Sequence, residues 1–227
     1  MLKKYRAFRC DVNGSQLEIK LLLSTIPCVK TIMVAGLGNP GPEYENTRHN
    51  VGFMAADAIA HSFRMRRFNH NRLADWSATD VALCVGQEPV KIILVKPQTF
   101  MNNSGVAVAA LLAQHQVPAQ NLIVVHDEMD LPVGSLRVSF NASAAGHKGV
   151  LSITEHLGSK GFVRVRIGIG KPDEPSGVID HVLSGFSRSE LPVVIDAIAR
   201  TPTAVRMVVC DGVMAAQDMF NRKVTPR

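Results

Sequence analysis

Apolar positions along the chain fall into two alternating patterns. Short runs rich in β-branched residues, at 31–37, 80–85, 90–95, 122–126, 136–140 and 163–169, read as strands. Longer stretches with apolar residues at helical spacing, at 50–63, 104–114, 147–157, 189–199 and 203–220, read as helices. This alternation predicts an α/β fold: a single-domain three-layer sandwich, with a mixed, mostly parallel twisted sheet and helices on both faces. The runs at 79–85 and 90–95, joined by 86–89, predict an antiparallel hairpin, which is what makes the sheet mixed. There is no internal repeat and no low-complexity stretch.

In open sheets of this kind, ligands sit beyond the carboxyl ends of the strands. Here Leu37 is followed by GNPG, Val95 by KPQTFMNNSG, Val125 by HDEMDLP and Ile169 by GKPDEP. All four exits are polar or glycine-rich, so residues far apart in sequence are expected to meet on one rim.

Composition narrows the class. A chain of 227 residues, 46% hydrophobic and 19% charged, suits one globular domain with a full core. No apolar run reaches the roughly 18 residues of a membrane span, so no membrane partner is expected. The four cysteines (Cys10, Cys28, Cys84, Cys210) are widely spaced and form no C-x-x-C pair. That spacing argues for a reducing compartment, and against a disulfide framework or a cysteine zinc site. The net charge of +6 is uneven: residues 1–30 hold six basic and two acidic groups, leaving only +2 for residues 31–227. A nucleic-acid surface must therefore be a local cluster rather than a whole-protein field.

The chain divides at residue 30. Residues 1–30 match no motif; their first ten are basic and free of acid. That pattern is compatible with an organelle transit segment, and equally with a disordered tail ahead of Met33. The expected location is the cytoplasm, or a mitochondrion or other organelle if 1–30 is a transit segment. Basic groups in the body cluster at Arg64, Arg66, Arg67 and Arg72, at Arg164 and Arg166 on one strand face, and at Arg222, Lys223 and Arg227.

The chemistry concentrates at 32–53, IMVAGLGNPGPEYENTRHNVGF. A buried-looking strand runs into a loop that Gly38, Pro40, Gly41 and Pro42 keep from becoming helical. The loop delivers His49 to a helix start, beside a row of amides, a placement that suits a general base. GLGNPG satisfies G-x-G-x-x-G, but Pro42 follows the third glycine at once and the helix begins nearer His49. A dinucleotide-binding oxidoreductase, which rests on that match alone, is rejected. In HDEMD, His126, Asp127, Glu128 and Asp130 are of metal-binding type, yet no second ligand pair stands at zinc or calcium spacing. Asp127 is more economically used to orient His49. No G-x-S-x-G elbow is present and no cysteine adjoins a histidine, which favours attack by an activated water. TFMNNSG offers Phe100 and Met101 as an apolar platform and the Asn102 amide as a substrate contact, or simply a helix cap from Asn103 or Ser104. GHKG, residues 146–149, reads either as a close approach to phosphate or ribose or as a plain helix entry. Arg166 is the basic residue expected to meet phosphate.

NPGPEYENTRHNVG resembles the N-terminal signature of bacterial-type peptidyl-tRNA hydrolases, matching at Tyr44, Thr47, Arg48, His49, Asn50 and Gly52. FMNNSG, HDEMDLPVG, GHKG and RVRIGIG follow in the order that family shows, over about residues 31–220. The resemblance implies a monomeric esterase needing no metal or other cofactor, which cleaves peptide from the 3′ ribose of tRNA and so recycles prematurely released peptidyl-tRNA. It implies His49 as base, Asp127 as its support, Asn39 and Asn102 at the acyl end and the water, Tyr44 and Phe100 along the tRNA end, and Arg166 on tRNA phosphate. Two departures stand out. Lys148 replaces the family's asparagine in GHNG, and the preceding segment 141–145 lacks most of the glycines that bacterial members carry there; in addition, a usually basic position on the strand before that loop is Ser139, with Arg137 two positions earlier. An ammonium donates but cannot accept. A non-catalytic RNA-binding relative, of the organellar splicing-factor type, is the alternative that these departures keep open.

Overall fold

In the computed structural model the described residues are 30–222, apart from 66, 173, 175 and 176. The expectations for residues 1–29, for Arg66 and for the basic C-terminal residues Lys223 and Arg227 lie outside them. Seven strands form one sheet in the order β2-β3-β4-β1-β5-β7-β6: β1 Thr31–Gly36, β2 Asn69–His70, β3 Ala74–Val81, β4 Val90–Pro97, β5 Leu122–Glu128, β6 Leu136–Phe140 and β7 Val163–Gly168. The central four, β4-β1-β5-β7, are parallel, and both edges are antiparallel. Helices α1 Val51–Ser62, α5 Leu191–Cys210 and α6 Val213–Phe220 pack on one face around Val34, Ile59, Val125 and Val205. Helices α2 Ser104–Gln114 and α3 Lys148–Leu157 pack on the other around Met33, Val124, Leu111 and Ile153. A short helix, α4 Val178–Leu183, follows β7. The three-layer α/β architecture is the expected one.

Three local expectations are corrected. The first strand of the hairpin is 74–81, not 80–85. The polar-alternating segment ADWSATDV pairs with β4 along its whole length, whereas Leu83 and Cys84 turn inward beyond it and are buried there. The break expected between helices at 199–203 is absent, because α5 runs straight through Pro202. Proline cannot donate to the carbonyl four residues back, but the Thr201 hydroxyl donates to that same carbonyl, Ile198 O, at 2.7 Å. Lastly, Cys84 and Cys210 form a disulfide across 126 positions, with Cα atoms 5.5 Å apart. Spacing along the chain hid this contact. The turn after β3 and the end of α5 border the same apolar core, so residues remote in sequence become neighbours within bridging range.

What places the catalytic-looking residues is close helix–sheet packing. A Cβ on Gly52 would overlap the carbonyl oxygens of Leu37 and Val125. The start of α1 therefore lies directly on the exits of β1 and β5, with His49 one turn before it. A Cβ on Gly149 would overlap Met101 Sδ, so α3 begins against the turn that follows β4.

The disulfide closes a long loop, and the chain-entropy account assigns such a loop roughly 4–5 kcal/mol. Reduction, or Cys84→Ser, is expected to lower the urea midpoint by a stability loss of up to that size. Equal midpoints with and without reductant would show that the bridge contributes nothing.

Candidate active site

Asp127 is the second-last residue of β5 and is buried, with its side chain 3% exposed. Two imidazoles meet it. His49 Nδ1 lies 3.0 and 2.9 Å from Oδ1 and Oδ2, and His147 Nε2 lies 2.8 Å from Oδ1. Burial by itself would raise the carboxyl pKa. The adjacent His147 and His49 and their hydrogen bonds outweigh it and hold Asp127 well below the usual carboxylate range.

The tautomers follow from the other contacts. His147 caps α3, its Nδ1 accepting from Val150 N–H at 3.2 Å. A neutral ring accepting at Nδ1 carries its proton on Nε2, so His147 donates to Asp127. His49 likewise donates from Nδ1 to the carboxylate, which leaves Nε2 as the atom able to take a proton. His126 lies behind the pair, edge-on to His147 at 4.6 Å between ring centres, and its Nδ1 donates to Asp127 O at 2.6 Å. Burial, the largest cause, lowers its pKa well below the ordinary value, so it is a neutral part of the wall. His49, Asp127 and His147 also present donor atoms within 4.8 Å of one another, as three ligands to a metal would. In the arrangement seen here, His49 Nδ1 and His147 Nε2 are both at hydrogen-bonding distance from Asp127.

These groups line one side of a cleft of about 390 Å³. Asn39, Phe100, Met101, Asn102, Asp127, His147 and Lys148 all border it with His49, so three of the four strand exits, those of β1, β4 and β5, converge on one rim, while the chain after β7 reaches the cleft through α4. Asn39 Oδ1 accepts from Met101 N–H at 2.8 Å, which leaves its NH2 group to donate. Asn50 fixes the backbone of Asn39 from both sides, accepting from its N–H and donating to its carbonyl. Phe100 is 54% exposed and adopts a positive φ of 56°. Held in that costly backbone conformation, it presents a ring at the cleft mouth. Tyr44 does not border the cleft but meets Phe100 edge-on at 6.5 Å. The cap that TFMNNSG seemed to offer is supplied differently: Ser104 Oγ donates to Met101 O, and the α2 amide of Gly105 donates to Ser152 Oγ of α3.

Arg166 lies off the cleft and pairs with Glu128 at 3.4 Å. Arg164, its neighbour on the same strand face, is buried and donates to the carbonyls of Ala142 and Ser143. It holds the loop ahead of α3 and is no part of a basic surface. Lys148 is exposed at the first position of α3.

Two features escaped the sequence reading. His147 was hidden in GHKG by attention to the glycines and to Lys148. The apolar part of the cleft wall (Val178, Ile179, Val182 and Leu183 of α4) was legible as a pair of i, i+4 steps in VIDHVL. Arg48, the residue before His49, ties this region together: its guanidinium binds Glu190 through two bonds, 3.0 and 2.8 Å, and stacks over Phe186 at 4.8 Å.

With this geometry in hand, the comparisons with known proteins decide the family. Residues 33–227 match the model of the peptidyl-tRNA hydrolase family. The chain belongs to the peptidyl-tRNA hydrolase family. Peptidyl-tRNA hydrolase of Synechocystis is 40% identical over 191 residues, covering 84% of this chain and 96% of that one. The Bacillus subtilis peptidyl-tRNA hydrolase is 38% identical over 193 residues, covering 85% and 100%. The crystal structure of peptidyl-tRNA hydrolase from Acinetobacter baumannii superposes with a TM-score of 0.77 at 29% identity, over 85% of this chain and 95% of that one. Family membership covers every element that builds the cleft, α4 included.

The Arg48–Glu190 pair generates a stability prediction. Hydrogen bonds from Arg48 are the main cause that pushes Glu190 down to about 2 from 4.5, with partial burial opposing and Ser187 assisting. A depressed carboxyl stabilises the fold above its ordinary pKa and loses that contribution as pH falls from about 4.5 to 2. Glu190→Gln is expected to cost about 2 kcal/mol near pH 7, and the gap from the unmodified protein should close by pH 2. Urea unfolding at the two pH values measures it; a gap independent of pH refutes the pairing.

Proposed function

We propose that this chain is a working peptidyl-tRNA hydrolase, cleaving the ester between a peptide and the 3′ ribose of tRNA with water activated by His49. The observation that carries this is the His49–Asp127 contact, which leaves His49 Nε2 as the one ring nitrogen without a protein partner on the rim of the cleft. Water adds to the ester carbonyl as Nε2 takes its proton. The tetrahedral intermediate then collapses, and the same proton passes to the departing ribose oxygen. The Asn39 NH2 group is placed to donate to the developing oxyanion, and Asn102 to hold the acyl end. Phe100, backed by Tyr44, offers a face for the tRNA's terminal base. Lys148 adds a cation at the cleft mouth, and Arg166 supplies the phosphate contact, in competition with Glu128. The enzyme acts as a monomer without a metal or other cofactor, as the resemblance implies. For residues 1–30, the transit segment and the cytoplasmic tail both stand as proposals.

The reading is tested by release of free tRNA from a peptidyl-tRNA. The unmodified protein should hydrolyse it, and His49→Ala should reduce turnover by roughly 10²-fold or more with tRNA binding retained. Binding of tRNA without hydrolysis by the unmodified protein would leave the non-catalytic RNA-binding alternative standing.

A second expectation uses the fixed tautomer of His147. In Asp127→Asn the amide keeps one oxygen, and its NH2 group must replace one of the two carboxylate oxygens that His49 Nδ1 meets at 3.0 and 2.9 Å. His147 cannot yield, because Val150 occupies its Nδ1, so the amide oxygen goes to His147 and its NH2 faces His49. An N–H on His49 Nδ1 would then face that NH2 at close range, which favours the tautomer with the proton on Nε2, and that tautomer cannot act as the base. Turnover should fall by roughly 10³- to 10⁴-fold. In a His147→Ala background the amide oxygen is free to serve His49, and the same substitution should cost at least tenfold less than it does with His147 present. Equal costs in the two backgrounds would show that His147 does not dictate the amide's orientation.

A further inference from the structure

The part of the cleft wall formed by α4 hangs on an unusual support. None of the residues of α4 is fully buried, and only Val182 reaches the margin of the core. Hydrophobic packing therefore does little to fix where this helix sits. Its attachments are polar. His181 Nε2 donates to Gly170 O at 2.9 Å and to Ile169 O at 3.2 Å. Just past the helix, Ser184 O accepts from the Arg48 backbone N–H at 2.8 Å, and Ser184 Oγ from Arg48 Nε at 3.4 Å. Thr47 bridges to Gly185. The Arg48 guanidinium continues past α4 to Ile169 O, at 3.3 Å, and to Glu190 at the start of α5. One side chain thus holds the strand exit before α4, the turn after it and the head of the next helix. That side chain belongs to the residue next to His49.

What α4 presents to the cleft is apolar. Val178, Ile179, Val182 and Leu183 border it, with Met101 and Met129 continuing the apolar lining, and His49, Asn39 and Lys148 border the same cleft. Ile179 is 62% exposed and borders the cleft, so it has apolar surface to offer a ligand seated there. The ester substrate has one part that could cover it without disturbing the polar groups: the side chain of the amino acid that carries the ester. A site that buries apolar surface there gains per methylene, and only if the wall stands at the right distance.

We propose that Arg48 is a positioning residue for substrate selection, holding the apolar wall of α4 at a set distance from His49, and that this wall selects peptidyl-tRNAs whose ester-bearing residue has an apolar side chain. Arg48 touches neither substrate nor reacting atoms; it acts through α4. The planar fork of an arginine is what spans Glu190, Ile169 and Ser184 together, and lysine, a single point charge, cannot reproduce it. The proposal rests on the hydrolase reading above and deepens it.

The test compares N-acetyl-leucyl and N-acetyl-glycyl esters of one tRNA body, so that every tRNA contact cancels in the ratio of kcat/KM. The unmodified protein should prefer the leucyl ester by roughly tenfold or more. Ile179→Ser, at the wall itself, and Arg48→Lys, at its support, should each shrink the preference to within about threefold. In Arg48→Lys the change should lie mainly in KM for the leucyl ester. If Arg48→Lys does not fold, Glu190→Gln removes the other half of the fork and serves in its place. A ratio near one in the unmodified protein overturns the wall. A ratio lost in Ile179→Ser yet kept in both Arg48→Lys and Glu190→Gln overturns the positioning role. Neither result touches the catalytic assignment, which stands or falls on whether the unmodified protein cleaves both esters and His49→Ala does not.

Discussion

A buried carboxylate with two imidazole donors is the constraint around which the site is arranged. Asp127 sits at the end of a central strand, where a lone charge would be very costly. His49 and His147 relieve that cost, and each is delivered by its own piece of tight packing. Gly52 lets α1 rest on two strand exits, which sets the turn carrying His49. Gly149 lets α3 start against Met101, which sets His147. The two histidines come from opposite layers of the sandwich and meet over the edge of the sheet. The catalytic geometry is therefore a statement about how the two helical layers are seated, as much as about the side chains involved.

The two donors are not equivalent. His147 has its far nitrogen engaged by Val150 at the head of α3, so its near nitrogen is a permanent donor. His49 has its far nitrogen free, so its bond to Asp127 organises a ring that can still exchange a proton. One carboxylate thus supports a fixed neighbour and a reactive one. His126, neutral and edge-on to His147, fills the space behind them with a ring rather than a charge.

Much of this was legible in the sequence. The period of the apolar runs defined the layers, and the rule that ligands gather at strand exits brought Asn39, His49, Phe100, Asn102 and Asp127 to one rim before any coordinates were considered. The misses have physical causes. The pattern favoured the apolar segment 80–85 as a strand, but an edge strand with a half-exposed face is written in alternation, as in ADWSATDV. Proline reads as a helix stop unless another donor reaches the vacated carbonyl, and Thr201 does so in three dimensions. Cys84 and Cys210 carry no local signature because their proximity is a product of the whole fold. His147 looked like loop because imidazole is an uncommon helix cap, and Arg48 looked like one more charge beside a catalytic histidine because its partners lie over a hundred residues away.

The bond between Cys84 and Cys210 also changes the topology of the molecule as an object to be pulled apart. It turns the stretch between them into a covalent ring that contains Asp127, His147, Phe100 and all of α4, while His49 lies on the open strand leading into it. A force applied at the N-terminal end, as by a machine that feeds chains through a narrow pore, would straighten the segment with His49 and then meet the ring as a double-width obstacle. His49 and Asp127 would be separated early, with half of the site still enclosed. Only once the sulfurs part would the remainder travel as a single thread.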